Sequence, residues 1–462
     1  MFSTDDTIVA IATPPGRGGI GVVRLSGPGA ESIARRLVSL EKALTPRYAT
    51  LATVQMLHPS GDVSEPGVNH APASAIDQAV VTLFRAPHSY TGEDVVEISA
   101  HGSPVVLQVI VKSAVAAGAR LAQPGEFTLR AFLRGRLDLP QAEAVADLID
   151  SVTPQQAVVS FDQLQGTLTR AIAAIDGELF DLVAKLEASI DFPDEGYHFI
   201  DPVTIVESLA VVEQKLKALL ESGRAGRLIR EGRTVAIVGP PNVGKSSLFN
   251  ALVGTSRAIV TPLPGTTRDL VSETVDVCGL RITLVDTAGV RETSDVVEGE
   301  GVARSLAAIQ AADLVLCVSD LAASETEAAL AQALAHHRSV LQVRNKCDLR
   351  GPSAPAGEWL YVSATRGDGL DQLKRSIASS LGWNFSGERP EIVNIRHLHL
   401  VQRALSSICS ARTAIADSGG RLPEEFVLAD LATARHSLEE ITGARTSEDL
   451  LAHIFMRFCI GK

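Results

Sequence analysis

The chain has 462 residues, enough for about three domains of ~150 residues each. Hydrophobic residues make up 45% and charged residues 21%, a balance that excludes a mostly disordered chain. Lys and Arg number 42 against 54 Asp and Glu, and the net charge of −12 excludes a protein that coats nucleic acid by bulk charge. An aromatic content of 4% argues equally against a broad base-stacking platform.

The 5 cysteines, Cys278, Cys317, Cys347, Cys409 and Cys459, are odd in number and show no CxxC spacing. Neither a disulfide framework nor a zinc knuckle is expected, and the pattern fits a reducing cytoplasm. The first residues lack a basic-then-apolar leader, and no apolar run reaches the ~18 residues of a membrane span, so no membrane association is expected. The last four residues, Cys459-Ile460-Gly461-Lys462, only outline a prenylation box; Gly and Lys fit that chemistry poorly, and no lipidation is expected.

Residues 1–121 read as short strands, TIVAIA, GVVRLSG, AVVTLF and DVVEISA, followed by a helical run, SPVVLQVIVKSAVAAGA. Residues 122–225 change to helical spacing, with an acidic, Pro-interrupted break at Asp191 to Pro202. Residues 226–382 alternate β-branched strands with amphipathic helices, the pattern of an α/β domain, and residues 383–462 are helical again. An α/β domain inserted into a discontinuous helical domain is therefore expected.

Two glycine-rich loops invite a phosphate-binding reading. Gly16-Arg17-Gly18-Gly19-Ile20-Gly21 has the spacing G-x-G-x-x-G but is followed by a second strand-like run, Val22 to Ser26, rather than a helix. A hairpin turn is preferred there. The second loop, Gly239-Pro240-Pro241-Asn242-Val243-Gly244-Lys245-Ser246, follows the strand Thr234 to Val238 and precedes helix-forming Ser247-Leu248-Phe249-Asn250. This is the strand–loop–helix context in which backbone N–H groups and the helix N-terminus hold phosphates. Lys245 suits the β- and γ-phosphates, and the Ser246 hydroxyl suits Mg²⁺.

Further elements follow in order. A strand ends in Asp286-Thr287-Ala288-Gly289, where the Asp suits the water shell of Mg²⁺ and the Gly amide the γ-phosphate. Between these motifs lies Thr261-Pro262-Leu263-Pro264-Gly265-Thr266-Thr267-Arg268-Asp269, with a threonine available as a second hydroxyl ligand. Asn345-Lys346-Cys347-Asp348 closes another strand, and the Asp348 carboxylate matches the N1–H and N2–H₂ donors of guanine, where adenine would leave it unpaired. Ser363-Ala364-Thr365 offers a backbone N–H to guanine O6. The domain is read as binding GTP.

Val290 stands where Ras-like enzymes carry the Gln that orients water. Asn242 could instead ligate a monovalent cation beside the phosphates and so supply transition-state charge. Glu292, Glu298 and Glu300 are candidate bases acting through water, and spacing does not choose among them. For Cys459 a small, partly buried structural residue is preferred over a reactive thiol, and His397 and His399 are read as non-ligands.

An inserted G domain, preceded by DTIVAIATPPGRGGIGVVRLSG and followed by Phe458-Cys459-Ile460-Gly461-Lys462, resembles the MnmE (TrmE) family of tRNA modification GTPases. The motifs TGEDVVE (91–97), PGEFTLRAFLRGRLDL (124–139), IDFPDE (190–195) and GTTRD (265–269) extend the resemblance over the whole chain. It implies an α+β folate-binding-like N-terminal domain that dimerises, an all-α helical domain and a Ras-like P-loop G domain. It implies K⁺-dependent GTP hydrolysis driven by pairing of G domains, and work with the FAD-dependent flavoprotein MnmG in a heterotetramer. The product would be an aminomethyl-type group at C5 of the wobble uridine of certain tRNAs, the one-carbon unit coming from 5-formyltetrahydrofolate or a related folate.

Carried over to this chain, K⁺ would be held by Asn242, Thr261, Leu263 and Thr266, and Mg²⁺ by Ser246 and Thr267. The GTP set runs from Asn242 through Val243, Gly244, Lys245, Ser246 and Ser247. It continues with Thr261 to Thr267, Asp286 to Gly289, Asn345, Lys346, Asp348 and Ser363 to Thr365. Glu298 aligns with the family's catalytic acid through the shared ETxDxVE pattern, with Arg268 grouped beside it, although Gly299-Glu300-Gly301 departs from the family's bulkier apolar middle residue and keeps Glu300 as a rival. Arg24, Glu97, Arg136 and Lys462 match the folate positions, Arg136 replacing a Lys found in some members. A ribosome-assembly GTPase is the rival reading, but it calls for an appended RNA-binding domain that the sequence does not display.

Overall fold

A computed structural model describes residues 5–40, 42–56, 74–191, 201–256, 271–286, 309–320, 339–349, 359–383, 389–417, 424–444, 448–456 and 458–461. The chain divides into two compact units, residues 1–146 with 442–462, and residues 147–441.

The first unit is built on a seven-stranded sheet. Its strands are β1 (Ile8–Ile11), β2 (Gly18–Ser26), β3 (Val38–Ser39), β4 (Thr50–Gln55), β5 (Ala75–Phe84), β6 (Val95–Gly102) and β7 (Arg120–Leu121), in the order β3-β4-β5-β6-β2-β1-β7. All neighbours are antiparallel except β1 and β7. The first glycine run starts in the connection from β1 to β2 and continues into β2 itself; the two strands are antiparallel with Ile11 opposite Val23, so the run belongs to a hairpin and opens no helix. Gly21 is required by packing: a Cβ there would run into the side chain of Leu107.

Strand alternation sends Val23, Leu25, Val81, Leu83, Val96 and Ile98 to one face, where α1 (Ala30–Leu37) and α2 (Pro104–Ala116) cover them with Ile33, Leu37, Leu107 and Ile110. The other face carries Ile20, Val22 and Arg24 of β2, Leu51 of β4, Val80 of β5, and Glu97 and Ser99 of β6. Helix α3 (Glu126–Leu133), the start of α4 (Leu139–Ile149) and the C-terminal helix Glu448–Phe455 form a smaller core around Leu129, Leu139, Phe455 and Phe458.

The second unit joins a helical bundle to an α/β layer. Helix α5 (Pro154–Leu164) starts with a capping box made by Thr153 and Gln156. In α6 (Thr167–Asp191), Leu168, Ile172, Ile175, Leu179, Leu182 and Leu186 recur at steps of four and three, which places them in one stripe. Helix α7 (Pro202–Glu231) is capped by Asp201, has Pro at its first turn and stops at left-handed Gly232, so helical structure runs past residue 225.

The α/β layer follows. It contains β8 (Arg233–Val238), α8 (Lys245–Ser256), β9 (Val271–Val277), β10 (Leu280–Asp286), β11 (Leu314–Ser319), β12 (Val340–Arg344), β13 (Leu360–Tyr361) and α9 (Leu370–Ser380). The sheet order is β13-β12-β11-β8-β10-β9, parallel except for the β9–β10 hairpin. All six residues of β11 are buried, as a central parallel strand requires. The chain then returns to the bundle in α10 (Ile395–Asp417) and α11 (Glu424–Thr442), whose Val401, Ala404, Ile408, Leu431 and Leu438 close the core on the stripe of α6. The α/β layer is thus an insertion between α7 and α10.

Candidate nucleotide site and the polar face of the N-terminal sheet

The nucleotide site sits at the carboxyl ends of the parallel strands, where an open α/β sheet binds ligands. Residues 239–244 turn from β8 into α8, and their backbone needs glycine: Gly244 has φ +91°, and a Cβ there would overlap the Asn345 amide. Asn242 also takes a left-handed conformation, φ +61°, which Asn tolerates better than most residues, and it is exposed. Buried Lys245 donates to the carbonyls of Gly239 (2.9 Å) and Pro240 (2.7 Å), and burial lowers its pKa. Those carbonyls hold the ammonium at the loop that a phosphate would occupy.

Ser246 donates its hydroxyl to Oδ2 of buried Asp286 at 2.8 Å. A hydroxyl and a carboxylate side by side are the oxygen donors a Mg²⁺ ion prefers, one from each of two motifs, so the residues fit that metal. Asn345 is the hinge of the base side. Its Nδ2 donates to the carbonyls of Val243 (3.0 Å) and Gly244 (3.3 Å), and its Oδ1 accepts the Ala364 amide at 3.1 Å. Guanine O6 would therefore compete with Asn345 for the Ala364 hydrogen. Lys346, also left-handed, donates to the Asn242 carbonyl at 2.7 Å. Asp348 accepts from Ser363 at 2.6 Å, and that bond holds its carboxyl below the usual range. Ser363 in turn stands 3.1 Å from the Thr365 hydroxyl.

The structure thus brings Asn242 to Ser246, Asp286, Asn345, Lys346, Asp348 and Ser363 to Thr365 into one site. Thr261 to Arg268, Thr287 to Gly289, Glu292, Glu298, Glu300 and Lys462 lie outside the described residues.

In the first unit Arg24 and Glu97 are register partners on β2 and β6, and Arg24 Nε donates to Glu97 Oε1 at 2.9 Å. The guanidinium lies over the rings of Tyr90 (5.4 Å) and Phe127 (5.7 Å). Tyr90 shares a hydrogen bond of 2.8 Å with Thr128, and burial pushes its hydroxyl pKa up. In the same loop, a Cβ placed on Gly92 would stand 3.2 Å from Cγ of the exposed Arg136, so Arg136 lies beside the loop that carries Tyr90. Gly461 lies against Ile11 and Ala12 of the same unit, and Cys459 is exposed.

Sequence reading missed a buried ion cluster behind this face. Arg130, 1% exposed, pairs with Glu93 at 3.2 Å, Glu126 at 3.0 Å and Asp6 at 2.6 Å; Arg120 adds a bond to Glu126 at 2.6 Å, and Arg134 one to Glu93 at 2.8 Å. Burial raises the Glu126 pKa, but hydrogen bonds from Arg120, the Gln123 amide and Arg130 outweigh it and leave the group below its usual value. The signal was present: Glu126 and Arg130 are i,i+4 in PGEFTLR.

Among the described residues, no group of three or more His, Cys, Asp and Glu is placed to hold a metal. His397 is buried in α10 beside Arg396, which stands 2.9 Å from its Nε2. No described helix is long and apolar enough to cross a membrane.

Residues 7–136 match the family described as GTP-binding protein TrmE N-terminus, and residues 139–459 match the MnmE helical domain. The chain is 46% identical over 468 residues to the tRNA modification GTPase MnmE of Koribacter versatilis (strain Ellin345), covering 100% of each. It is 43% identical to the protein of that name from Bordetella petrii, covering 100% of this chain and 99% of the relative.

The chain belongs to the MnmE family of tRNA modification GTPases.

Among solved structures, GDP·AlF₄⁻-bound Era from Aquifex aeolicus is 28% identical over 38% of this chain and 66% of its own, with a TM-score of 0.27. Membership of the MnmE family makes the chain a GTP hydrolase acting in tRNA modification, with an N-terminal α+β domain, a helical domain and a P-loop G domain. The motif residues that the α/β layer gathers at its strand ends form the candidate nucleotide site, and that position accounts for their order along the chain.

Proposed function

We propose that this chain is a K⁺-dependent GTPase that works with MnmG to install an aminomethyl or carboxymethylaminomethyl group at C5 of U34 in certain tRNAs. Its domains are residues 1–121, residues 122–225 with 383–462, and residues 226–382. The observation that carries the K⁺ reading is Asn242: its left-handed backbone lies inside the phosphate loop, it is exposed, and Val290 leaves no Gln for the water. Asn242, Thr261, Leu263 and Thr266 would hold K⁺, which when bound supplies positive charge to the transferring phosphoryl group. Ser246 and Thr267 would hold Mg²⁺. Glu298, with Arg268 in the same catalytic set, would position the attacking water, and Lys245 would exchange its loop carbonyls for phosphate oxygens.

A folate such as 5-formyltetrahydrofolate is assigned to Arg24, Glu97, Arg136 and Lys462. The support is the Arg24–Glu97 pair on an open sheet face, backed by Tyr90 and Phe127. A carboxylate beside a fixed guanidinium can pair with the donors of a pterin ring and with a ligand carboxylate respectively.

The chain acts as a homodimer in the cytoplasm, in a heterotetramer with MnmG, which carries FAD. Support for the dimer is the cross-strand row Leu51, Val80, Ser99 and Val22, with Ile20 70% exposed and Leu51 70% exposed beside it. That apolar stripe fits a second copy of the same sheet. The test is reconstitution: chain, MnmG, unmodified tRNA, GTP, K⁺ and folate, followed by mass spectrometry of the wobble nucleoside. Modification requiring every component supports the reading. Modification that proceeds without folate or without GTP contradicts it.

A further inference from the structure

The β9–β10 hairpin turns through Cys278 (φ +56°) and Gly279 (φ +85°), two left-handed residues as a tight two-residue turn requires. The turn is closed by a bond of 2.7 Å from the Gly279 amide to Asp276. Both turn carbonyls are then taken by side chains from outside the sheet. Trp383 Nε1 donates to the Cys278 carbonyl at 3.0 Å, and Thr153 Oγ1 donates to the Gly279 carbonyl at 3.2 Å. Trp383, 7% exposed, stands where the chain leaves the α/β layer, and Thr153 is the N-cap of α5.

The grip continues into the bundle. Gln156, the partner of Thr153 in the capping box, donates to the carbonyls of Ile229 (2.8 Å) and Arg230 (3.2 Å) at the end of α7. Arg230 pairs with Asp147 at 2.8 Å. A cavity of about 250 Å³ opens beside this joint, lined by the charged residues Asp147, Arg230 and Arg281 and by the apolar Val159, Ile229 and Val393. Space and water-compatible groups at a joint let it shift without breaking an apolar core.

The far end of the hairpin is the nucleotide site. Strand β10 ends at Asp286, which Ser246 of the phosphate loop holds, and β9 begins just after GTTRD. The strands are paired without a break from Val277 opposite Leu280 to Val271 opposite Asp286, a ladder roughly 20 Å long at ~3.4 Å per residue. A tilt or slide imposed at Asp286 therefore reaches the turn, and the turn can move only with Thr153 and Trp383.

We infer that the β9–β10 turn is the contact through which the nucleotide state of the G domain is passed to helices α5 and α7, with Thr153 and Trp383 as its positioning residues. The two residues bind the turn, at the end of the hairpin opposite Ser246 and Asp286. They act by making the hairpin and the start of α5 one body, so that a nucleotide binding one hairpin position better shifts the bundle with it.

The test is amide hydrogen exchange on the full chain with Mg²⁺ and K⁺, comparing GDP with a non-hydrolysable GTP analogue. In the wild type, exchange in residues 150–165 differs between the two nucleotides by roughly fivefold or more, the low end of coupling between sites. In Trp383→Phe combined with Thr153→Val the difference disappears, while GTP turnover stays within about twofold of wild type, a change of at most ~0.4 kcal/mol in barrier. Thr153→Ser, which keeps the hydroxyl, retains the difference. If the double variant fails to melt cooperatively, Trp383→Phe alone reduces the difference at least about threefold. No nucleotide-dependent difference in the wild type, or an undiminished one in the variants, overturns the inference.

Discussion

Ser246 and Asp286 are hydrogen-bonded at 2.8 Å, although 40 residues separate them in the chain. The bond joins the first turn of α8 to the last residue of β10, so the phosphate loop and the DTAG motif act on one point. Ser246→Ala removes the hydroxyl that makes this link and is assigned to Mg²⁺. GTP turnover is expected to fall roughly 100-fold, with the Mg²⁺ concentration for half-maximal rate shifted upward. Turnover titrated against Mg²⁺ measures both.

Asp348 is assigned to recognition of the base. Asp348→Asn replaces an acceptor-only carboxylate with an amide that presents a donor, which clashes with guanine and suits xanthine. GTP affinity is expected to drop roughly 100-fold and XTP affinity to rise, as read by competition binding.

The same carboxyl makes a pH prediction. Ser363 lowers the Asp348 pKa, so the ionised acceptor persists as pH falls through the usual Asp value near ~3.9 and is lost only below it. Ser363→Ala lets the pKa rise. GTP binding by that variant should then weaken at higher pH than in the wild type, provided both remain folded by circular dichroism at the pH of the measurement.

Glu126 carries a stability prediction for the N-terminal unit. Glu126→Gln leaves Arg130 buried with one charge partner fewer, and about 3 kcal/mol of stability is expected to be lost in chemical denaturation. Because the folded pKa lies below the unfolded one, the contribution of Glu126 is fully present above its unfolded value near ~4.3. It disappears as pH falls through the lower folded value. The stability gap between wild type and variant should therefore narrow in acid.

Arg24 tests the proposed folate assignment. Arg24→Lys keeps the charge but cannot keep the planar fork that faces Glu97 and stacks over Tyr90 and Phe127. Affinity for 5-formyltetrahydrofolate in calorimetry is expected to fall about tenfold or more, while GTP turnover in the same preparation is unchanged.

The candidate nucleotide site was legible because the phosphate loop, Asp286, Asn345 to Asp348 and Ser363 to Thr365 each end or follow a strand. The buried run of β8 and the alternation of β10 fix where Gly239 and Asp286 emerge, and turn chemistry then fixes their loops. Asn345 and Ala364 were recognised as motif members, but their bond to each other was not, since it joins two strand ends through side-chain geometry. The Arg130 cluster was hidden for another reason: a charged residue on a short helix normally marks solvent, and only tertiary packing of α3 buries it. The joint at Thr153, Trp383 and Gly279 depends on contacts across more than a hundred residues, which periodicity does not encode. The choice among Glu292, Glu298 and Glu300 falls outside the described residues and rests on the family pattern.

The most direct test of the central claim is GTP turnover by the purified chain in K⁺ and in Na⁺ at equal ionic strength, with Asn242→Ala alongside. A cation held by Asn242 predicts high turnover in K⁺ alone and loss of that dependence in the variant. Equal rates in the two salts would contradict the claim and point to an activating group supplied by another protein.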